Sequence, residues 1–410
     1  MRLVYVTGSM PFGSGEEFLV PEADELVRQG CELLIVPRSP KGGIFNRDAA
    51  ALERHSRRRP LLGASIVLAA LAECVRHPIA VGRVTRLLLK AGDRAVVLKN
   101  AIVLPKALWL ARVARDWPAD HIHAHWGRTT ATMALVAAEV TGIPWSFTVH
   151  RDDIAHPNLL SAKMSRASFT RFISRSGMDI ARDVGAPAPA GTSVVVHMGV
   201  RIAGSPSEAE PRQPHDGFII LCPANLYPVK GHEHLLKAMG TLQERGIACT
   251  LWIAGSGELL DELQRRAAAL GLDSTVSFLG QVAHERILDW YAQGGVDAMV
   301  LPSVDLGHHE HEGIPVSLME AMAHGVPVVS TETGGIPELL GEGAGLLVPP
   351  GDADALADAL QRLAQDASLR SRVGAAGRRR IEQEYSVERT TADLLALITR
   401  SPEPAARRSR

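Results

Sequence analysis

Apolar positions along this 410-residue chain fall in short β-branched runs separated by stretches of helical spacing, and the alternation occurs twice. Residues 3–7 read as a strand ending at Gly8. A glycine-bearing loop follows over 8–15, then a helix over 16–29 with Gly30 as its stop, then a strand over 33–37. This strand–loop–helix–strand opening begins a doubly wound parallel sheet. Residues 51–115 read as helical. Strands over 120–125, 145–150, 168–173 and 193–197, with a helix over 129–141, complete the first series.

Residues 202–216 are rich in Pro, Gly, Ser and Glu and read as a linker. The alternation then restarts. Strands are predicted over 218–223, 248–254, 276–279, 298–301 and 326–330. Helices are predicted over 232–245, 257–270, 287–292, 315–324 and 336–340, and from an Asp352 cap to residue 364. The expectation is two Rossmann-like domains, 1–201 and 217–375, with helices over 376–400 crossing back to the first domain and a disordered tail over 401–410. Sheets of this type bind ligands beyond the carboxyl ends of their strands. The active site is therefore expected in a cleft shared by the two domains.

Composition agrees with parallel sheets covered on both faces: 46% of residues are apolar and only 4% aromatic, so aliphatic residues must fill the cores. The net charge of −1 argues against a nucleic-acid partner. It hides a basic stretch, because residues 51–115 hold 13 Lys and Arg against Glu53, Glu73 and Asp93. Cys31, Cys74, Cys222 and Cys249 form no CxxC pair and read as small buried hydrophobes of a reducing cytoplasm. The N-terminus reads directly as a strand rather than a signal peptide. The longest apolar run, 61–72, is shorter than the ~20 residues a spanning helix needs.

The chemistry concentrates in Glu312-Gly-Ile-Pro-Val-Ser-Leu-Met-Glu320. Pro315 suits a first helical turn, so the amides near Val316 and Ser317 form a helix N-terminus able to hold phosphate. Glu312 and Glu320 can accept hydrogen bonds from sugar and ribose hydroxyls. Lys230, in Asn225-Leu-Tyr-Pro-Val-Lys-Gly, is a candidate phosphate ligand. The loop holding Gly13 and Gly15 lacks Gly-Lys-Ser/Thr and is not a nucleotide P-loop. His121, His123 and His125 alternate on one strand face, and His308-His309-x-His311 forms a second group. Neither has the carboxylate or cysteine company of a catalytic zinc, so no metal is assigned.

The two glutamates, the following Ala-Met-Ala, the Gly-x-Pro-Val-Val strand and Gly-Gly-Ile-Pro-Glu resemble the donor-site signature of family-4 retaining glycosyltransferases of the GT-B fold, bacterial exopolysaccharide and capsule enzymes above all. The resemblance runs over nearly the whole chain. It implies that Glu312 contacts the transferred sugar and Glu320 the ribose, with Gly313, Ile314, Pro315, Val316 and Ser317 around sugar and phosphates. It implies that Asn225 and Lys230 hold the diphosphate, although Asn225 stands where the family has Arg, and the two are not equivalent donors. It further implies that the Gly13–Gly15 loop closes on donor phosphate, that Gly257 and Gln281 complete the donor pocket, and that His150 lies beside the anomeric carbon. His123 and His125 would line the acceptor side of the cleft. Arg201 and Val387 depart from the family pattern near the domain junction.

The expected activity is transfer of a sugar, a hexose above all, from a nucleoside-diphosphate sugar to an acceptor hydroxyl, with retention and without a cofactor or metal. The acceptor is expected to be a sugar, a lipid-linked molecule or a small molecule. The expected location is cytoplasmic and peripheral on the plasma membrane, with residues 51–115 docking on anionic lipid. Alternatives are another GT-B enzyme such as a sugar-nucleotide epimerase, or a non-catalytic nucleotide-sugar-binding protein. A dinucleotide oxidoreductase is disfavoured, because the second strand ends Val36-Pro37-Arg38 without the acid that binds a ribose.

Overall fold

Near-continuous apolar runs flanked by glycine build strands that are buried on both faces, as a parallel sheet requires. The computed structural model describes the whole chain except residues 14, 45, 46, 187–190, 203, 205–216, 308, 309 and 402–410. In chain order the first series is β1 (Arg2–Thr7), α1 (Val20–Arg28), β2 (Glu32–Pro37), α2 (Arg47–Leu52), α3 (Ala64–Arg76), α4 (Pro78–Leu88), α5 (Arg94–Asp116), β3 (His121–His125), α6 (Thr129–Thr141), β4 (Trp145–Val149), α7 (Arg151–Ala155), α8 (Leu160–Met164), β5 (Phe169–Phe172), α9 (Arg175–Asp183) and β6 (Ser193–Val195). The second is β7 (Phe218–Pro223), α10 (His232–Glu244), β8 (Cys249–Ala254), α11 (Leu260–Ala269), β9 (Val276–Gly280), α12 (His284–Ala292), β10 (Ala298–Leu301), α13 (Val316–Ala323), β11 (Val328–Thr331), α14 (Ile336–Leu340), β12 (Leu346–Val348), α15 (Ala353–Gln365) and α16 (Ala367–Arg380). The chain ends with α17 (Val387–Arg400).

Two compact units result: Met1–Gly199 with the chain from Val387 onward, and Val200–Ser386. The first unit's sheet has the all-parallel order β2-β1-β3-β4-β5-β6. Its strand order reverses between β1 and β3, which is where a doubly wound sheet receives a ligand. Helix α6, TTATMALVAAEVT, is buried nearly all round because it packs against both β3 and α5. Its Ala and Thr side chains keep both distances short. In the second unit the order is β12-β11-β10-β7-β8-β9, again parallel. Counted from β7 this is the Rossmann order 3-2-1-4-5-6, with its switch point between β7 and β10.

Two local outcomes differ from the sequence reading. Helix α1 starts at Val20, after a 3₁₀ turn over Glu17–Leu19, because Glu16 is used by the preceding loop. Residues 376–386 stay in the second unit, where Val200 N–H donates to the Tyr385 carbonyl, while α17 packs on α1. Most of the expected linker, and residues 402–410 of the expected tail, lie outside the described residues.

Candidate functional site

In the second unit the switch point assembles the loops that follow β7 and β10. After β7 the chain turns through a 3₁₀ segment, Pro228–Lys230, and reaches Gly231 at φ +66°. A Cβ there would lie 1.9 Å from the Pro302 carbonyl, so only glycine lets this loop rest on the chain beyond β10. The contact brings Lys230 to Glu312: Nζ and Oε1 are 2.6 Å apart, with both side chains mostly buried. Gly334 supports Glu312 from the far side. A Cβ on it would meet the Glu312 carbonyl at 1.9 Å.

Glu312, Gly313 and Ile314 lead into α13, whose N-cap is Pro315. The Pro315 carbonyl receives Leu318 and Met319 N–H, and among the described residues the amides of Val316 and Ser317 are unspent donors of the helix start. Glu320, further along α13, accepts from or pairs with His284 Nε2 at 2.7 Å. Asn225 and Gln281 are exposed, and Gly257 packs on the backbone of Leu226. The structure therefore brings together Lys230, Glu312 and the amides of the α13 start, with Glu320 on the same helix. Of the second histidine group, His308 and His309 lie outside the described residues. His311 Nδ1 donates to the Glu312 carbonyl at 2.7 Å.

The first unit places its candidates differently from the expectation. The amides of Gly8, Ser9 and Met10 all donate to the Glu16 carboxylate, at 2.9, 2.6 and 2.8 Å. Gly13 N–H donates to the Gly43 carbonyl, and Gly15 N–H to Glu17 Oε2. These five amides are thus committed to the Gly43 carbonyl and to the carboxylates of Glu16 and Glu17 rather than offered to a phosphate. His123 and His125, expected on a cleft wall, are fully buried. His123 bonds Ser146 and Thr148 and stacks on Tyr5 and Phe169.

His150 is the N-cap of α7 and is 8% exposed. Its Nε2 lies 2.6 Å from His125 Nε2, and its side chain also accepts from the Asp153 amide. The protons follow from a chain of partners. The buried Arg171–Glu22 ion pair fixes Glu22 as an acceptor, and Tyr5 Oη donates to it at 2.7 Å. Tyr5 then accepts from His125 Nδ1–H at 3.2 Å. That leaves His125 Nε2 bare, so His150 Nε2–H donates to it. Both ring nitrogens of His150 are spent inside the unit. Burial, with the Arg171 charge adding to it, pushes the imidazole down to about 3, so it stays neutral. Asp152 and Asp153, which follow His150 closely, are equally engaged. Asp152 pairs with Arg128 and His156, while Asp153 accepts from the His150 amide and burial pushes its carboxyl up to about 6.

A cavity of about 1290 Å³ opens beyond the β1 and β3 ends of this unit. Its lining includes Glu16, Arg38, Trp126 and Arg128, which the sequence reading did not assign as site residues. Trp126 sits at φ +76°, a strained backbone for a bulky residue. It is held by an indole N–H to Glu16 Oε1 at 2.6 Å and by packing on His150, 4.2 Å between ring centroids. The one sequence signal for this arrangement is an acid directly after a glycine loop. Among the described residues no three His, Cys, Asp or Glu side chains group as metal ligands.

Two parallel doubly wound units with these loops define the GT-B class of α/β proteins. Residues 206–380 match the family model described as glycosyl transferases group 1, and the chain carries a domain of that family. Over 187 residues it is 36% identical to the amylovoran biosynthesis glycosyltransferase AmsK of Erwinia amylovora, covering 45% of this chain and 46% of that protein. It is 35% identical over 184 residues to the putative colanic acid biosynthesis glycosyltransferase WcaL of Escherichia coli, 44% of each. The chain thus spans about half the length of the curated relatives it matches. Solved structures share the fold over 97% of this chain. They include a glycosyltransferase from Rickettsia africae, with TM-score 0.70, 16% identity and 97% of its chain covered. Anabaena HepE in complex with UDP also matches, with TM-score 0.70, 18% identity and all of its chain covered.

Proposed function

We propose that this protein is a retaining glycosyltransferase that moves a sugar, a hexose above all, from a nucleoside-diphosphate sugar to an acceptor hydroxyl in polysaccharide or glycolipid assembly. The observation that carries the reading is the cluster of Lys230, Glu312 and the α13 N-terminus at the switch point of the second unit. A cation and free amides suit a diphosphate, and two carboxylates suit hydroxyls. In the reaction the acceptor oxygen bonds to the anomeric carbon as the carbon–phosphate-oxygen bond breaks on the same face. The acceptor proton passes to the departing diphosphate. Lys230 and the Val316 and Ser317 amides stabilise the charge that builds on that leaving group. His150, neutral and bonded on both nitrogens, positions the loop after β4 and moves no proton.

The reaction needs no metal ion in this reading, because Lys230 and the helix start supply the positive end. A panel of UDP-, GDP- and ADP-sugars, screened by thermal shift and then by turnover, tests the proposal. One donor should stabilise the protein and support sugar transfer that persists in EDTA. Epimerised donor formed without acceptor, or loss of activity on chelation restored by manganese, would overturn it.

The same reading places the protein on the cytoplasmic face of a membrane that carries its acceptor. Among the described residues no single helix is long and apolar enough to cross a membrane, and α3 and α4 meet at a 112° bend. Leu68, Leu71, Val75 and Ile79 nevertheless stand exposed on these two helices, Val75 at 84% and Ile79 at 78%. Ile66, Ala69 and Ala70 of α3 supply its core face. Exposed aliphatics among basic side chains are what an anionic lipid surface takes up.

A further inference from the structure

The cavity of the first unit has a second property that the proposed donor chemistry does not use: it is built around an arginine without an ion-pair partner. Arg38 directly follows β2, lines the cavity and is half-buried. It forms no salt bridge within 4 Å among the described residues, whereas the neighbouring Arg128 is paired with Asp152. Burial and the Arg128 charge both work against the Arg38 guanidinium, and only Glu16 works for it. Glu16 is itself saturated by the three loop amides and the Trp126 indole.

Both arginines are held in place from below by buried lysines. Lys106, fully buried in α5, donates to the carbonyls of Pro37, Arg38 and Arg59 at 2.7, 2.9 and 2.7 Å. Lys163, fully buried in α8, donates to the carbonyls of Gly127 and Arg128 at 2.9 and 2.7 Å. Two buried ammonium groups thus fix the backbone at the two positions from which guanidinium groups reach the cavity. Lys41 and Lys99 add positive charge at the rim, against Asp93, which is occupied as the α5 cap. One wall is apolar, formed by Leu61, Val96, Ile102 and Val103.

We propose that this cavity binds a phosphate ester carried by the acceptor, with Arg38 as its principal ligand, Arg128 and Lys41 beside it, and the apolar wall under the alcohol portion. Naming the ligand as the acceptor rests on the glycosyltransferase reading. The binding site does not, and it can be tested without turnover. The phosphate can come from an amphiphile or from a free sugar phosphate, and the probes separate the two.

The test is calorimetric titration of the full chain with octyl phosphate, glucose 1-phosphate and octyl glucoside, for wild type, Arg38→Met and Arg38→Lys. Octyl phosphate should bind the wild type, octyl glucoside at least tenfold more weakly. Arg38→Met should weaken octyl phosphate tenfold or more, and Arg38→Lys should recover part of the loss, since a charged partner is what the site lacks. Glucose 1-phosphate binding as well as octyl phosphate supports a soluble acceptor, and weaker binding supports an amphiphilic one. Nucleoside-diphosphate affinity, a property of the other unit, should be unchanged in both variants and certifies folding. Octyl phosphate that fails to bind, or binds Arg38→Met as well as wild type, would overturn the proposal and leave the glycosyltransferase reading standing.

Discussion

At the scale of single residues, the ion pair between Lys230 and Glu312 sets the energetics of the proposed donor site. In the proposed reaction a diphosphate and the Glu312 carboxylate are rivals for one ammonium, so donor binding would draw Lys230 from its partner. Glu312→Gln keeps the hydrogen-bonding shape and removes the rival charge. Turnover should fall by ~100- to 1,000-fold, about 2.7–4 kcal/mol, as for other lost transition-state contacts. Affinity for the free nucleoside diphosphate should hold or rise, because Lys230 is released to it. Calorimetry with the diphosphate and initial rates with the donor sugar check the two halves separately. Weaker diphosphate binding in Glu312→Gln would show that the carboxylate orders Lys230 rather than competing for it. Asn225 sits exposed on the same loop without a charge to contribute, which leaves Lys230 the cation of that segment.

At the scale of elements, β3 and its neighbours concentrate a cost that shows with pH. His121, His123 and His125 alternate along one buried strand face, and His150 closes the row from the end of β4. Burial lowers all four below the ordinary imidazole range, His121 and His150 to about 3. The unfolded chain therefore takes up protons that the folded unit refuses. Stability is fully present above about pH 6.5 and is lost as pH falls from there toward 3, each imidazole adding up to ~1.4 kcal/mol per pH unit to the slope. Melting curves from pH 8 to 5 should show a steep acid loss, and His121→Gln should flatten it. A melting temperature unchanged down to pH 5 would contradict the neutral, buried assignment.

That row also shows what sequence conveys at this scale. The period of two placed the histidines on one face, but burial of that face depends on Tyr5, Ser146, Thr148 and Phe169, which are distant in the chain. Strands β7 and β10 and helices α6 and α14 have the predicted bounds, because apolar runs between turn residues define them. Helix α16 was foreseen only from residue 376 onward, not over 367–375. Its sequence ASLRSRVGAAGRRR carries little apolar face because Gly374 packs through its backbone, where a Cβ would meet the Gly325 carbonyl at 2.1 Å. Lys230, Glu312 and the α13 start were legible because each lies in a local motif. The Glu16 clamp, the strained Trp126 and Arg38 were not, since their roles come from contacts between separate loops of the first unit.

Across the whole molecule, charge and exposed apolar surface are unevenly spread, and both gather in the same segment. Residues 51–115 carry 13 basic against 3 acidic side chains in a chain whose net charge is −1. The same segment holds Leu62, Leu68, Leu71, Val75, Ile79, Leu89 and Leu98, all more than half exposed. A segment that merely covered its own core would turn these side chains inward. Arg57, Arg58 and Arg59 are exposed immediately before that surface, and each basic residue near an anionic bilayer contributes about 1 kcal/mol. Reversing all three to Glu should therefore weaken binding to anionic liposomes by at least ~100-fold at low salt, with neutral liposomes little affected. Leu68→Ser together with Val75→Ser should weaken binding to both, because the apolar contribution does not depend on lipid charge. Nucleoside-diphosphate affinity, assigned by the proposal to the other unit, should remain that of the wild type in every variant. Co-sedimentation of the wild type and these variants with vesicles of graded anionic content measures the effect. Wild-type protein that stays in the supernatant with strongly anionic vesicles at low salt would end the docking proposal.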